Sequence, residues 1–203
     1  MEYIELLYIV STILLLIGLR KLSSPATARK GNLIAASGMI LAIVVSIFSP
    51  LEGNNGNYLY IFGGVSVGVL MGLFYSNKVK MTEIPELVSL FNGYGGACTV
   101  FISILEIFKF NNTTSVGMSS ITYTALFVGS IAFTGSLVAY GKLSGTVKDW
   151  RSSMSSYFNL FWLVLCIGLI LFQILNPALY PFLPIVILVV SLICGVSFVI
   201  PIG

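Results

Sequence analysis

Histidine is absent from these 203 residues and charge is scarce, with seven Asp and Glu and ten Lys and Arg making up 8% of the chain. A soluble domain with so little charge could not furnish its polar surface, so that class is excluded. Cysteine occurs three times, at Cys98, Cys166 and Cys194, each inside an apolar run, without CxxC spacing. With no histidine to complete a ligand set, a metal site is not expected, and the cysteines read as small buried hydrophobes. The net charge of +3 forms no basic stripe with interleaved aromatics. Nucleic acid is therefore not an expected partner.

What the chain has instead is hydrophobicity: 57% of its residues are apolar, and its mean hydropathy is +1.02. A helix crosses the hydrocarbon core with about 20 apolar residues. Seven stretches meet that requirement, near 3–19, 32–49, 58–76, 85–108, 119–141, 157–175 and 182–202. They lack sustained polar/apolar alternation, which argues against a barrel, and an open sheet would strand backbone groups in lipid. The expected fold is an all-α polytopic transmembrane bundle of about seven spans, with short connections and antiparallel neighbours. The opening MEYIELLYIV carries Glu2 and Glu5 rather than a basic leader, so the first span is expected to stay in the membrane.

Basic residues separate the two faces. Arg20, Lys21, Arg29 and Lys30 fall in the first loop region, Lys78 and Lys80 in the third, and Lys142, Lys148 and Arg151 in the fifth. Lys109 alone falls on the other side. Because Lys and Arg resist translocation, the N-terminus is expected outside and the C-terminus inside.

Small and polar residues interrupt the apolar runs at chosen places. Gly64, Gly68 and Gly72 recur at four-residue spacing in the third span, a helix-packing pattern. The fourth span enters through MTEIPELVSLFNGYGG, which puts Asn92, Gly93, Gly95 and Gly96 at middle depth; the fifth carries Thr134, Gly135 and Ser136 there. No Asp, Glu, Lys, Arg or His lies near the middle of any span, so a fixed charged relay is not expected. An asparagine amide in lipid needs partners, either across a helix interface or in trapped water, and neighbouring glycines leave room for both. Ser and Thr hydroxyls can bond the carbonyl one turn back. Packing and a water-bearing path are both compatible with these residues.

MTEIPELVSLFNGYGG resembles the acidic-Pro-Glu-Leu-Val entry into a membrane helix of the beta subunit of proton-translocating NAD(P) transhydrogenase. GLRKLSSPATARKGNLIAASGM, FVGSIAFTGSLVAYGKLSG and the tail SFVIPIG resemble the same membrane domain in the same order. The resemblance implies a helix bundle that couples proton passage to hydride transfer between NAD(H) and NADP(H) on soluble domains. It implies a proton path past Asn92, Ser136 and Thr134, with Asn92 at a position where some members carry a protonatable histidine. An amide does not take up a proton at physiological pH, so Asn92 would orient water while a partner segment titrates. Gly64, Gly68, Gly72, Gly93, Gly95 and Gly96 would serve helix packing.

The family continues beyond the equivalent of SFVIPIG into further pore helices and an NADP-binding domain, whereas this sequence stops at Gly203. Against the family it reads as a fragment or split-gene product, residues 1–203 forming an incomplete proton-channel domain. No GxGxxG follows a strand and no P-loop occurs, so no cofactor is expected on this chain. The expected partners are the bilayer, protons, the remaining membrane helices, the NADP-binding domain and the NAD-binding alpha subunit. A bacterial or mitochondrial inner membrane is the expected location. Two other classes stay in view: a small transporter or channel component for another solute, and a seven-span receptor-like protein. The first would show inverted-repeat similarity; the second would need larger tails. NNT and NTT at Asn111 to Thr114 match glycosylation acceptors, a pattern that arises often by chance.

Overall fold

The computed structural model describes residues 2–22, 24, 26–48, 57–110, 114–148, 155–176 and 182–201. Of the NNT/NTT pattern at Asn111 to Thr114, residues 111–113 lie outside the described residues, as do the second loop, most of the sixth, and 149–154 of the fifth with the basic residue Arg151. Every regular element among those described is helical: α1 (Glu2–Leu22), α2 (Ala28–Phe48), α3 (Asn57–Lys78), α4 (Ile84–Phe108), α5 (Val116–Leu143), α6 (Ser155–Leu175) and α7 (Leu183–Val199), with a 3-10 turn at Met81–Glu83. The first six are long and apolar enough to cross a membrane, and α7 is a shorter apolar helix of 17 residues. The chain is an integral membrane protein.

Local signals set the helix ends. Pro85 occupies the first turn of α4, where a missing N–H costs nothing, and Glu86 there faces the positive end of the helix dipole. Ser115 caps α5 by accepting a 3.2 Å hydrogen bond from Met118 N. The far end of α5 turns through Gly145 at φ 74°, a conformation that disfavours a Cβ. The run expected at 182–202 yields a helix ending at Val199, because Pro201 has no N–H with which to extend it.

The chain divides into two compact units, Met1–Ser76 and Asn77–Gly203. In the first, α1 and α2 form a close hairpin. A Cβ added at Gly18 would lie 2.6 Å from Ala35 N, and one added at Gly31 would lie 2.8 Å from Gly18 O. Ser11 Oγ fastens the same interface by donating 2.7 Å to Gly38 O. Lipid tails are as apolar as the side chains they would replace, so close approach through small residues does the work that hydrophobic burial does in water. By contrast, α3 carries no buried residue, and a Cβ at Gly64, Gly68 or Gly72 would meet nothing within 4 Å. The predicted packing ladder thus has an open face among the described residues.

In the second unit α5 is central and packs against α4, α6 and α7. Val100, Tyr123, Leu126, Ile170, Leu183 and Ile187 form one core cluster; Cys166, Val190 and Cys194 form another. Two of the three cysteines are thus packing residues, while Cys98 is exposed.

Candidate functional site

The contact that positions the site is between α4 and α5. A Cβ at Gly96 would lie 2.6 Å from Phe133 N and 2.7 Å from Gly129 O, and one at Gly129 would lie 3.0 Å from Gly96 O. Backbone therefore meets backbone. One turn earlier, a Cβ at Gly93 would stand 3.3 Å from Ser136 Cβ, and this proximity brings the polar residues of the two helices together.

Asn92 Nδ2 donates a 2.9 Å hydrogen bond to Ser136 Oγ, and Ser89 Oγ donates one of 2.9 Å to Ser136 O. Ser136 is 8% exposed and Ser89 half-buried, whereas Asn92 is exposed on the flank of the helix pair. An amide carries two donors and an acceptor, and a hydroxyl donates as well as accepts. The pair consequently keeps the Asn92 oxygen and the Ser136 hydroxyl hydrogen for water or a further group. No side chain in this cluster titrates in the physiological range. It can orient a water chain and pass hydrogen bonds along it, but it cannot hold a proton.

Ser89 was not among the residues singled out from sequence. Its position, three residues before Asn92 and so on the same helix face, was the available signal. Thr134 goes elsewhere: its hydroxyl donates 3.0 Å to Ser130 O in its own helix and 2.9 Å to Leu192 O on α7. Two residues on a helix differ by about 200° around the axis, so Thr134 and Ser136 address opposite neighbours. Gly195 of α7 is packed just there, with an added Cβ meeting Thr134 Oγ1 and lying 2.8 Å from Ile131 Cα. Gly95 points to open space.

A second polar pair lies at the α6–α7 interface, where Ser197 Oγ donates 2.6 Å to Asn159 Oδ1. Ser130 and Ser191 close their hydroxyls on carbonyls of their own helices at 2.7 and 2.6 Å. Among the described residues no group of His, Cys, Asp and Glu is arranged to hold a metal ion.

A family model described as NAD(P) transhydrogenase beta subunit matches residues 4–203. The NAD(P) transhydrogenase subunit beta of Rhodospirillum rubrum is 32% identical over 147 residues, which cover 69% of this chain and 31% of the relative. The chain is thus similar to about a third of that protein's length. Similarity extends more weakly to the sensor protein LytS of Enterococcus faecalis, 23% identical over 112 residues, or 55% of this chain and 19% of that protein. With the family model matching from residue 4 to residue 203 across all seven helices, the chain belongs to the NAD(P) transhydrogenase beta subunit family.

Proposed function

We propose that this chain forms part of the proton-translocating membrane domain of an NAD(P) transhydrogenase, and that the Asn92–Ser136 pair, steadied by Ser89, is one wall of the proton path. Hydride transfer between NAD(H) and NADP(H) takes place on soluble domains outside the helices described here. Nicotinamide rings must be held in near-contact for that transfer, which is work for nucleotide-binding folds rather than apolar helices. The observation that carries the reading is the 2.9 Å bond from Asn92 Nδ2 to Ser136 Oγ, a cross-helix polar contact in a family defined by a redox enzyme. The bond leaves an acceptor and a donor on the exposed flank, where water can use them. The protonating group comes from a segment facing that flank. Thr134 serves the α5–α7 contact in this reading, since the one carbonyl it bonds outside its own helix, Leu192 O, belongs to α7.

The basic loops face the cytoplasm or matrix of a bacterial or mitochondrial inner membrane, with the N-terminus outside. In a complete complex reconstituted into proteoliposomes, Asn92→Leu should lower proton-coupled reduction of an NAD analogue by NADPH about tenfold, the effect of one lost hydrogen bond in the limiting step. Assembly should be unaffected. Unchanged turnover with unchanged coupling would reduce Asn92 to a packing residue.

A further inference from the structure

The α1–α2 hairpin is electrically lopsided. Arg20 and Lys21 end α1, and Arg29 and Lys30 begin α2. Between Leu6 and Leu51 the sequence contains no Asp or Glu, and the acidic residues Glu2 and Glu5 stand at the opposite end of α1. The fold then brings the backbones of the two helix ends that carry these pairs into contact. A Cβ at Gly31 would lie 2.9 Å from the carbonyl carbon of Lys21 and 2.9 Å from Leu22 N, so the last turn of α1 touches the first turn of α2.

The connection between them is tied. Thr27 Oγ1 donates 2.7 Å to Lys21 O, Thr27 N donates 3.1 Å to Ser24 O, and Gly31 N donates 2.8 Å to Thr27 O. Arg20, Lys21, Arg29 and Lys30 are all exposed. Each helix is 21 residues, about 32 Å at the standard rise, so one hairpin end must sit at the level of the lipid headgroups. The first turn of α2 adds the positive end of a helix dipole to the four cations.

We propose that this end of the α1–α2 hairpin is a docking site for anionic phospholipid headgroups, whose phosphates are held between the α1 and α2 basic pairs. Phospholipid is the occupant because the cluster emerges from a membrane-embedded hairpin at headgroup depth, and its charge complements a phosphodiester.

The test reconstitutes the purified chain in phosphatidylcholine nanodiscs and measures association of spin-labelled phosphatidylglycerol relative to spin-labelled phosphatidylcholine. Each basic residue near an anionic surface is worth about fivefold in association at most. A several-fold preference for phosphatidylglycerol is therefore expected at low salt, fading at high salt as screening sets in. Replacing all four residues by Gln should abolish the preference; Arg20→Lys with Arg29→Lys should keep most of it; Lys109→Gln should leave it intact. Should the fourfold variant fail to insert, Arg29→Gln with Lys30→Gln and the salt titration of the wild type give separate readings. Equal association of the two lipids, a preference indifferent to salt, or one that survives removal of the cations would overturn the proposal. So would retention of an acidic polypeptide without any lipid preference.

Discussion

Lys142, in the last turn of α5, donates a 2.6 Å hydrogen bond from Nζ to Ile200 O at the end of α7, 58 residues away. The carbonyls of a helix's last turn have no partners within the helix, and a cation there also opposes the negative end of the dipole. Lys142→Met should therefore destabilise the second unit by about 1–2 kcal/mol and release the amides near Ile200 to faster exchange. Lys142→Arg should recover most of the loss. Hydrogen exchange with thermal denaturation in detergent checks both; unaltered protection near Ile200 would dismiss the bond as incidental.

Gly96 and Gly95 are adjacent but should respond oppositely to alanine. At Gly96 the new methyl would meet backbone atoms of Phe133 and Gly129 at 2.6 and 2.7 Å, which cannot yield unless α4 and α5 separate. Overpacking of this kind costs about 1–3 kcal/mol. At Gly95 there is open space, so alanine should be neutral or gain up to about 1 kcal/mol in helix propensity. Denaturant-induced unfolding of both variants in the same micelle makes the comparison.

The Asn92–Ser136 bond should be measurable as a coupling. A double-mutant cycle of Asn92→Ala and Ser136→Ala should return about 0.6 kcal/mol, and no more than about 1.7, as for polar pairs between other membrane helices. A coupling of zero would mean that each residue prefers water to its neighbour.

Topology can be read by labelling. With Cys98, Cys166 and Cys194 replaced, cysteines placed at Ala28 and Thr146 should react with an impermeant maleimide from the side that holds the first and fifth loops. Labelling of the two from opposite sides of sealed vesicles would break the proposed arrangement.

Hydropathy made the helices legible: the expected run 85–108 corresponds to α4 at Ile84–Phe108, and 157–175 to α6 at Ser155–Leu175. Apolar length is imposed by the bilayer and so leaves a plain trace. Which face each helix turns to its neighbour was less visible. Thr134 and Ser136 read in sequence as one polar patch, although helical periodicity sends them to α7 and α4 respectively. Gly64, Gly68 and Gly72 have the small-residue spacing of a contact ladder, and among the described residues nothing lies against them, because spacing specifies a smooth face and not its occupant. The pairing of Asn92 with Ser136 joins residues 44 apart in sequence: polarity at middle depth marks each residue, but nothing in the spacing pairs them.

The backbone contact at Gly96 also has a mechanical meaning. Among the glycine contacts of α4 with α5 it is the closest approach, four residues or about 6 Å along the axis from Asn92. Sliding α4 along α5 would jam the glycine against Phe133 N, so tilting about that point is the freer motion. With a lever arm of about 6 Å, a tilt of about 10° lengthens the Asn92–Ser136 separation by about 1 Å, enough to break a hydrogen bond. Gly96 stands where the fulcrum of such a tilt would lie, and the polar pair is close enough to it for a modest swing of the helix to part the two side chains.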